Sequence, residues 1–155
     1  MMAPATRKNT TTVEATVTSK GQEPVVMLAA DTNVWARAYL NDDASQARRA
    51  RSALAEARSA TGVFVPLLVL AELSWVLRSK WERERVLNTM EALLQTRGVT
   101  IESPSIAWRA LEASRKSTAG FADHLIAEFS FESGVGEIIT FDQAFSRRPG
   151  VRRLK

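Results

Sequence analysis

Four acidic side chains sit where an ordinary solvated charge is hard to account for. Asp31 directly follows Val25-Val26-Met27-Leu28-Ala29-Ala30, a continuous apolar run. Glu72 interrupts Leu67-Leu68-Val69-Leu70-Ala71-Glu72-Leu73-Ser74-Trp75-Val76-Leu77, with apolar neighbours at most helical offsets. Asp123 stands within Gly120-Phe121-Ala122-Asp123-His124-Leu125-Ile126, and Asp142 comes two residues after Thr140, the end of Ile138-Ile139-Thr140. A carboxylate taken out of water without a partner is costly and protonates instead. Four that converge need a cation between them. The chain has no cysteine and one histidine, His124, so thiolate sites and sites needing two imidazoles are excluded. Any metal must then sit on oxygen ligands, which selects a hard cation such as Mg²⁺ or Mn²⁺, its shell completed largely by water and phosphate.

Each acid also has a purely structural account. Asp31, with Thr32-Asn33 behind it, can cap a helix, and Asp142 can do the same. Asp123 can be a first-turn charge favoured by the helix dipole. Glu72 can belong to a lone buried salt bridge. Sequence alone leaves both accounts open for each residue.

The elements that would position these acids alternate between strand and helix. The run 25–30 reads as a strand buried on both faces. A helix over 34–40 follows Asp31-Thr32-Asn33. Asp42 opens a second helix, Ala44 to Ala60, with Ala47, Ala50, Leu54 and Ala57 on one side, and Gly62 ends it. Val63–Val65 reads as a strand. Pro66 suits the first turn of an apolar helix from Leu67 to Ser79. Glu82–Thr96 reads as a charged amphipathic helix closed by Arg97-Gly98. Val99–Ile101 is a strand, Pro104–Lys116 and Phe121–Glu132 are helices, and Ile138–Thr140 is a strand. A short helix over 142–147 and an edge strand over Val151–Leu154 complete the chain. Without hairpin signals, this alternation means βαβ units. The fold class is α/β: three layers, α/β/α, around a central, mostly parallel sheet of four to five strands with helices on both faces. Ligands bind such sheets beyond the carboxyl ends of the strands, where Asp31 and Asp142 fall.

Residues 1–24 differ in kind. They are rich in Thr, Ser, Lys and Gln, and Val13 and Val17 are nearly their only large apolar residues. Such a stretch buries too little surface to offset its ordering entropy and reads as a mobile extension before one domain, 25–155. Within it, Thr16-Val17-Thr18-Ser19-Lys20-Gly21-Gln22 resembles the first strand and turn of AbrB-type antitoxins. If this is upstream sequence, Met27 is the natural start. The whole chain has 155 residues, 45% of them hydrophobic and 25% charged, as in ordinary globular proteins. Lys and Arg total 21 against 17 Asp and Glu, a net charge of +4 that permits nucleic-acid binding without requiring it. No apolar run approaches the roughly 20 residues of a membrane span. Arg7 and Lys8 precede no apolar stretch, so no secretory signal is expected and a cytoplasmic location is.

The four acidic segments resemble PIN-domain ribonucleases and, among them, VapC toxins of bacterial toxin–antitoxin pairs. The matching pieces are Leu28-Ala29-Ala30-Asp31-Thr32-Asn33-Val34-Trp35-Ala36-Arg37, Val69-Leu70-Ala71-Glu72-Leu73, Phe121-Ala122-Asp123-His124-Leu125-Ile126-Ala127 and Ile139-Thr140-Phe141-Asp142-Gln143-Ala144-Phe145. The resemblance covers about residues 26–155. It implies a PIN domain and a Mg²⁺- or Mn²⁺-dependent endoribonuclease, with Asp31, Glu72, Asp123 and Asp142 as catalytic, metal-holding acids. Asn33 and Thr140 would hydrogen-bond the carboxylates or metal-bound water. An acid that the family often carries before Phe-Ala-Asp is here Gly120. The chemistry suits those residue types. A divalent ion activates water and relieves charge on the phosphate, so no His or Lys base is required, and the products carry a 5′-phosphate and a 3′-hydroxyl. The resemblance further implies RNA as substrate, a cognate antitoxin lying over the acidic cleft, and a homodimer. Apolar surface around Leu67–Trp81 and helix 82–96 would suit the antitoxin.

Other residues carry less. His124 reads as a surface or helix-packing histidine, Trp75 as core, and Trp81 as part of a partner surface. Arg37, Arg48, Arg49, Arg51, Arg115 and Lys116 could line an RNA path, although most such charges are solvated helix faces. Three rival classes remain. A PIN nuclease of RNA processing differs only by gene context. A haloacid-dehalogenase-type phosphotransferase needs an Asp where this chain has Asn33. A receiver-like binding module usually needs a Lys after a late strand, which is lacking.

Overall fold

The computed structural model describes residues 26–155. The extension 1–24 and its Thr16–Gln22 segment lie outside the described residues. The order is β1 (Leu28–Ala29), α1 (Thr32–Leu40), α2 (Ala44–Ala60), β2 (Val63–Val65), α3 (Leu67–Arg78), α4 (Arg83–Leu94), β3 (Val99–Ile101), α5 (Pro104–Arg115), α6 (Phe121–Glu132), β4 (Ile138–Thr140), a 3₁₀ turn (Phe145–Arg147) and β5 (Val151–Arg153). The expected elements are present in the expected order, forming a three-layer α/β/α arrangement with all strand pairs parallel.

Hydrogen bonding divides the five strands into two ladders. One has the order β1-β2-β3, with Leu28 opposite Val63 and Val63 opposite Val99. The other pairs β4 with β5, Ile138 opposite Val151 and Thr140 opposite Arg153. β2 is therefore the central strand of its ladder, and Val63 and Val65 are completely buried. The reading of 25–30 as a strand buried on both faces is corrected. β1 holds two residues and both are exposed, because it lies at the edge of its ladder and pairs only with β2.

The main core forms where α3 and α4 present Leu70, Leu73, Leu77, Leu87 and Met90 to α5 and to β2. A second, smaller cluster of Ala119, Ala127, Phe145 and Val151, with Phe131 and Ile138 against it, fastens the β4–β5 ladder to α6. α6 thus serves both, sending Phe121 and Leu125 to the first cluster and Ala127 and Phe131 to the second. Local chemistry sets the helix starts. Asp31 Oδ1 accepts from the Val34 amide at 3.0 Å, and Asp43, rather than the expected Asp42, accepts from the Gln46 amide at 2.9 Å. Pro66 offers α3 no side-chain cap, and Glu102 at the end of β3 supplies one by accepting from the Leu67 amide at 2.8 Å. Gly98 closes the α4–β3 turn at φ +78°, where an added Cβ would stand 2.6 Å from the Arg58 carbonyl oxygen. Both the left-handed backbone and the close approach require glycine there.

Candidate active site

The four acids come from four separate elements. Asp31 leaves the carboxyl end of β1 and caps α1. Glu72 lies mid-α3, and its Oε2 accepts a hydrogen bond from Thr32 Oγ1 at 2.5 Å. That bond fastens Glu72 to the residue next to Asp31. Asp123 occupies the first turn of α6, where its Oδ2 accepts from the Gly120 amide at 2.9 Å. Asp142 follows β4, its Oδ1 accepting from the Phe145 amide at 2.6 Å. Each structural role expected for Asp31, Asp123 and Asp142 is therefore realised. These roles use one oxygen of each carboxylate and leave the other free for a ligand.

A cavity of about 530 Å³ connects three of the segments. It is lined by Thr32 and Asn33, which follow Asp31, by Glu72 and Trp75, and by Ala122, which precedes Asp123. Asp142 joins through electrostatics. Asp123 is pushed above the usual carboxylate range by burial first and by the charge of Asp142 as well, against the Gly120 amide bond that pulls it down. The acids thus group as Asp31 with Glu72 through Thr32, and Asp123 with Asp142. Among the described residues no three acids or histidines stand close enough together to hold one ion. A pair suffices for Mg²⁺, which takes one or two carboxylates and completes its octahedron with water and phosphate. The all-oxygen donor set and the mutual repulsion of Asp123 and Asp142 both fit a hard divalent cation.

Several expectations change in detail. Thr140 Oγ1 accepts from the Asp142 amide at 3.0 Å, so it shapes the backbone that carries the acid and leaves the carboxylate alone. Asn33 is exposed and lines the cavity. The hydroxyl that holds a carboxylate is Thr32, which sequence reasoning places only in a cap. Trp75 is not core. It is 75% exposed, because its position one turn after Glu72 and two turns after Leu68 puts it on the outer face of α3, opposite Leu70, Leu73 and Leu77. The apolar face that Glu72 interrupts is thus a solvent-facing one, and Glu72 itself is exposed. Trp81 packs partly buried against the main core, with the Arg85 guanidinium 3.8 Å from its ring centre. His124 is 2% exposed and packs edge-on to Phe145. Burial first, then Arg148 and Arg83, push it down to about 4.

Among the expected RNA-facing cations, Arg37 and Arg49 line a groove with Asn33 between α1 and α2. Arg48 is exposed on α2. Arg51 instead binds the Ala38 carbonyl at 2.8 Å and the Asn41 side chain at 3.1 Å. Arg115 is paired with Glu91 at 2.6 Å.

Residues 28–151 match the PIN domain. This is most of the chain, and the protein belongs to the PIN-domain family. PIN domains are generally nucleases, hydrolases acting on RNA, and usually use divalent metals. The chain matches no curated protein. No helix among the described residues is long and apolar enough to cross a membrane.

Proposed function

We propose that the protein is a Mg²⁺- or Mn²⁺-dependent endoribonuclease, the toxin of a VapBC-type pair. Asp31, Glu72, Asp123 and Asp142 are its catalytic acids. The observation that carries this reading is the junction of acid-bearing segments. Glu72 shares a cavity with the neighbours of Asp31 and Asp123, and Asp123 senses the charge of Asp142. Three helix-start acids and one mid-helix glutamate with no further role would not need to be linked in this way.

Asp31, Glu72, Asp123 and Asp142 would hold the metal, with Asp123 and Asp142, which repel one another without it, as the pair that gains most from the ion. The bound ion supplies neutralisation of phosphate charge and activation of the attacking water. The chain's own residues do the rest. Thr32 orients Glu72, the Gly120 amide fixes one oxygen of Asp123, and Thr140 with the Phe145 amide fixes Asp142. Arg49, beside Asn33, offers its guanidinium to an RNA backbone entering the cavity, and Arg37, bonded to Asp42 at 2.7 Å, adds only its remaining N–H groups. Water attacks rather than the ribose 2′-hydroxyl, so products carry a 5′-phosphate and a 3′-hydroxyl.

The toxin reading brings a cytoplasmic location, a homodimer, and an antitoxin segment lying over the acids. Leu68, Trp75 and Val76, exposed on the face of α3 that carries Glu72, supply apolar surface for that segment. Purified protein incubated with RNA should cut it only when Mg²⁺ or Mn²⁺ is present, leaving ends that a 5′-phosphate-dependent exonuclease degrades. Products with 5′-hydroxyl ends, or equal cutting in EDTA, would refute this mechanism.

Asp123 gives a separate test without RNA. Its folded-state pKa is raised, so the ionised form opposes folding above that pKa, and stability recovers as pH falls through it. Asp123→Asn removes this opposition at neutral pH and keeps an oxygen for the Gly120 amide. The melting point in EDTA should rise by about 2 °C, a small effect because the half-exposed group is screened by solvent. The rise that Mg²⁺ gives the wild type should shrink in the variant, since stabilisation by a ligand follows its affinity. A wild-type melting point indifferent to 10 mM Mg²⁺ and Mn²⁺, roughly the weakest useful affinity, would contradict the metal site.

A further inference from the structure

A second cavity, of about 770 Å³, opens between the C-terminal end of α5 and the turn before β5. Arg115, Lys116, Arg147 and Arg148 line it, with Ser117 and His124, and its lining holds no acid. Arg115 and Arg148 are partly neutralised by Glu91 and Glu128, but Lys116 is 75% exposed and meets only Glu112, at 3.7 Å. Arg147 is exposed. The α5 C-terminus would ordinarily present carbonyl oxygens that repel an anion. Here Arg83 covers one of them, donating to the Ser114 carbonyl, and in the loop beyond it donates to the carbonyls of Ser117 at 2.7 Å and Ala119 at 2.9 Å. His124 helps hold the Arg148 guanidinium in place. Arg148 can only donate, so His124 Nδ1 accepts its hydrogen bond at 2.8 Å and the neutral ring carries its proton on Nε2. That buried Nε2 has no partner among the described residues. Cations without acids in the lining, and a carbonyl of the helix end masked by a guanidinium, together suit an anion. Arginine forks match the paired oxygens of a phosphate.

We propose that this cavity binds a phosphate group, namely a backbone phosphodiester of the RNA strand on which the acids act. The proposal rests on the endoribonuclease reading for its source of phosphate. Chain connectivity supports that source. His124 follows Asp123 in α6, and the turn that begins at Asp142 leads directly to Arg147 and Arg148. Thr118 lines both this cavity and a neighbouring one that shares Trp75 and Ala122 with the cavity at Glu72, so a strand anchored here can follow that run of cavities to the acids.

The test compares the full chain with a Lys116→Ala, Arg147→Ala double variant, both side chains being exposed and outside the catalytic set. Binding of single-stranded RNA is measured across a salt series with Ca²⁺ replacing Mg²⁺, and pyrophosphate and poly-glutamate serve as separate probes. Each lost phosphate contact on a single strand flattens the log–log salt slope by about 0.7, so the double variant should lose about 1.4. With Mg²⁺ it should show a raised KM and an unchanged kcat, and Arg147→Lys should restore part of the slope. Wild-type RNA binding with an unchanged slope in the variant overturns the proposal and leaves the nuclease reading standing. Loss of pyrophosphate binding with no RNA binding by either protein assigns the cavity to a small phosphoester, overturns the RNA source and counts against the nuclease reading. Loss confined to poly-glutamate assigns it to an acidic peptide and overturns the proposal. Binding of no probe by the wild type also overturns it.

Discussion

Asp31→Ala should abolish RNA cleavage while the protein remains folded, and Glu72→Ala should do the same. The two residues sit on different elements, one capping α1 and the other mid-α3, and the link between them is the Thr32 hydroxyl on Glu72. Neither is buried, so removing either carboxylate empties no core. Losing a charge that stabilises the transition state costs at least about 10²-fold in rate. Asp31 also caps α1, so its alanine variant should lose about 1 kcal/mol of stability, roughly 3 °C in melting point. Asp31→Asn separates the two roles, keeping an acceptor for the Val34 amide but not the charge. It should retain the melting point and still be inactive. Thr32→Val leaves Glu72 charged but unheld, and a smaller loss, about 10-fold, is expected. If both alanine variants cut RNA at near wild-type rate under Mg²⁺ and Mn²⁺, Asp31 is only a helix cap, Glu72 only a surface charge held by Thr32, and the nuclease reading fails. If wild type and variants alike cut nothing yet bind a partner protein, a binding module takes its place.

The acids are legible in the sequence because each stands beside an apolar run, although the structure leaves Asp31 and Glu72 exposed. A charge inside Leu67–Leu77 or straight after an apolar run demands a reason, and period and breaker signals place each on its element. Helix and strand identities follow from the same signals, with ends displaced by up to three residues, as at α1, which begins at Thr32 within the stretch read as cap, and at the 3₁₀ turn, which begins at Phe145 rather than 142. What periodicity cannot show is direction. Leu68, Glu72 and Trp75 recur at helical spacing just as Leu70, Leu73 and Leu77 do. α3 is apolar nearly all round, so sequence does not say which stripe faces the core, and reading Trp75 as core picks the wrong one. β1 misleads for a related reason: an apolar run signals burial only if neighbours cover both edges, and pairing is a long-range fact. The division into two ladders is equally non-local, as is the parallel pairing of β4 and β5 across residues 141–150. Of the cation-lined cavity, sequence points to Arg115 and Lys116 as candidates for an RNA path but not to Arg147 and Arg148, because the two pairs come from distant segments and only the fold brings them together.

Glu128→Ala should destabilise the fold more than the loss of the Asp31 cap does, by about 2 kcal/mol, or roughly 6 °C in melting point. Glu128 is mostly buried at 13% exposure and accepts from Arg109 on α5 at 2.7 Å and from Arg148 ahead of β5. Deleting the carboxylate leaves the Arg148 charge, 17% exposed, without its acid and next to His124. Breaking one side of a buried pair is costly for this reason, but Arg109 is 43% exposed and can turn to Glu132 and water, which holds the loss below the full range. Burial raises the Glu128 pKa, but hydrogen bonds from Arg109 and Arg148 outweigh it and leave the group below its ordinary value. A depressed folded-state pKa contributes stability above the unfolded value of 4.5 and loses it as pH falls through the folded value. Glu128→Gln should therefore lower stability at pH 7 and flatten the acid limb of the stability profile below that value. Urea unfolding over a pH series reads both. The functional consequence runs through Asp142. The β4–β5 segment that carries it is held to α6 by the small Ala127–Phe145–Val151 cluster and by this ion network. Loosening the network lets Asp142 drift from Asp123, so activity should fall even at temperatures where Glu128→Ala is fully folded, and added Mg²⁺ should recover part of it by drawing the two acids together. A variant with wild-type stability across the whole pH range would show that Arg148 finds another partner and that the clamp does not hold this end of the fold.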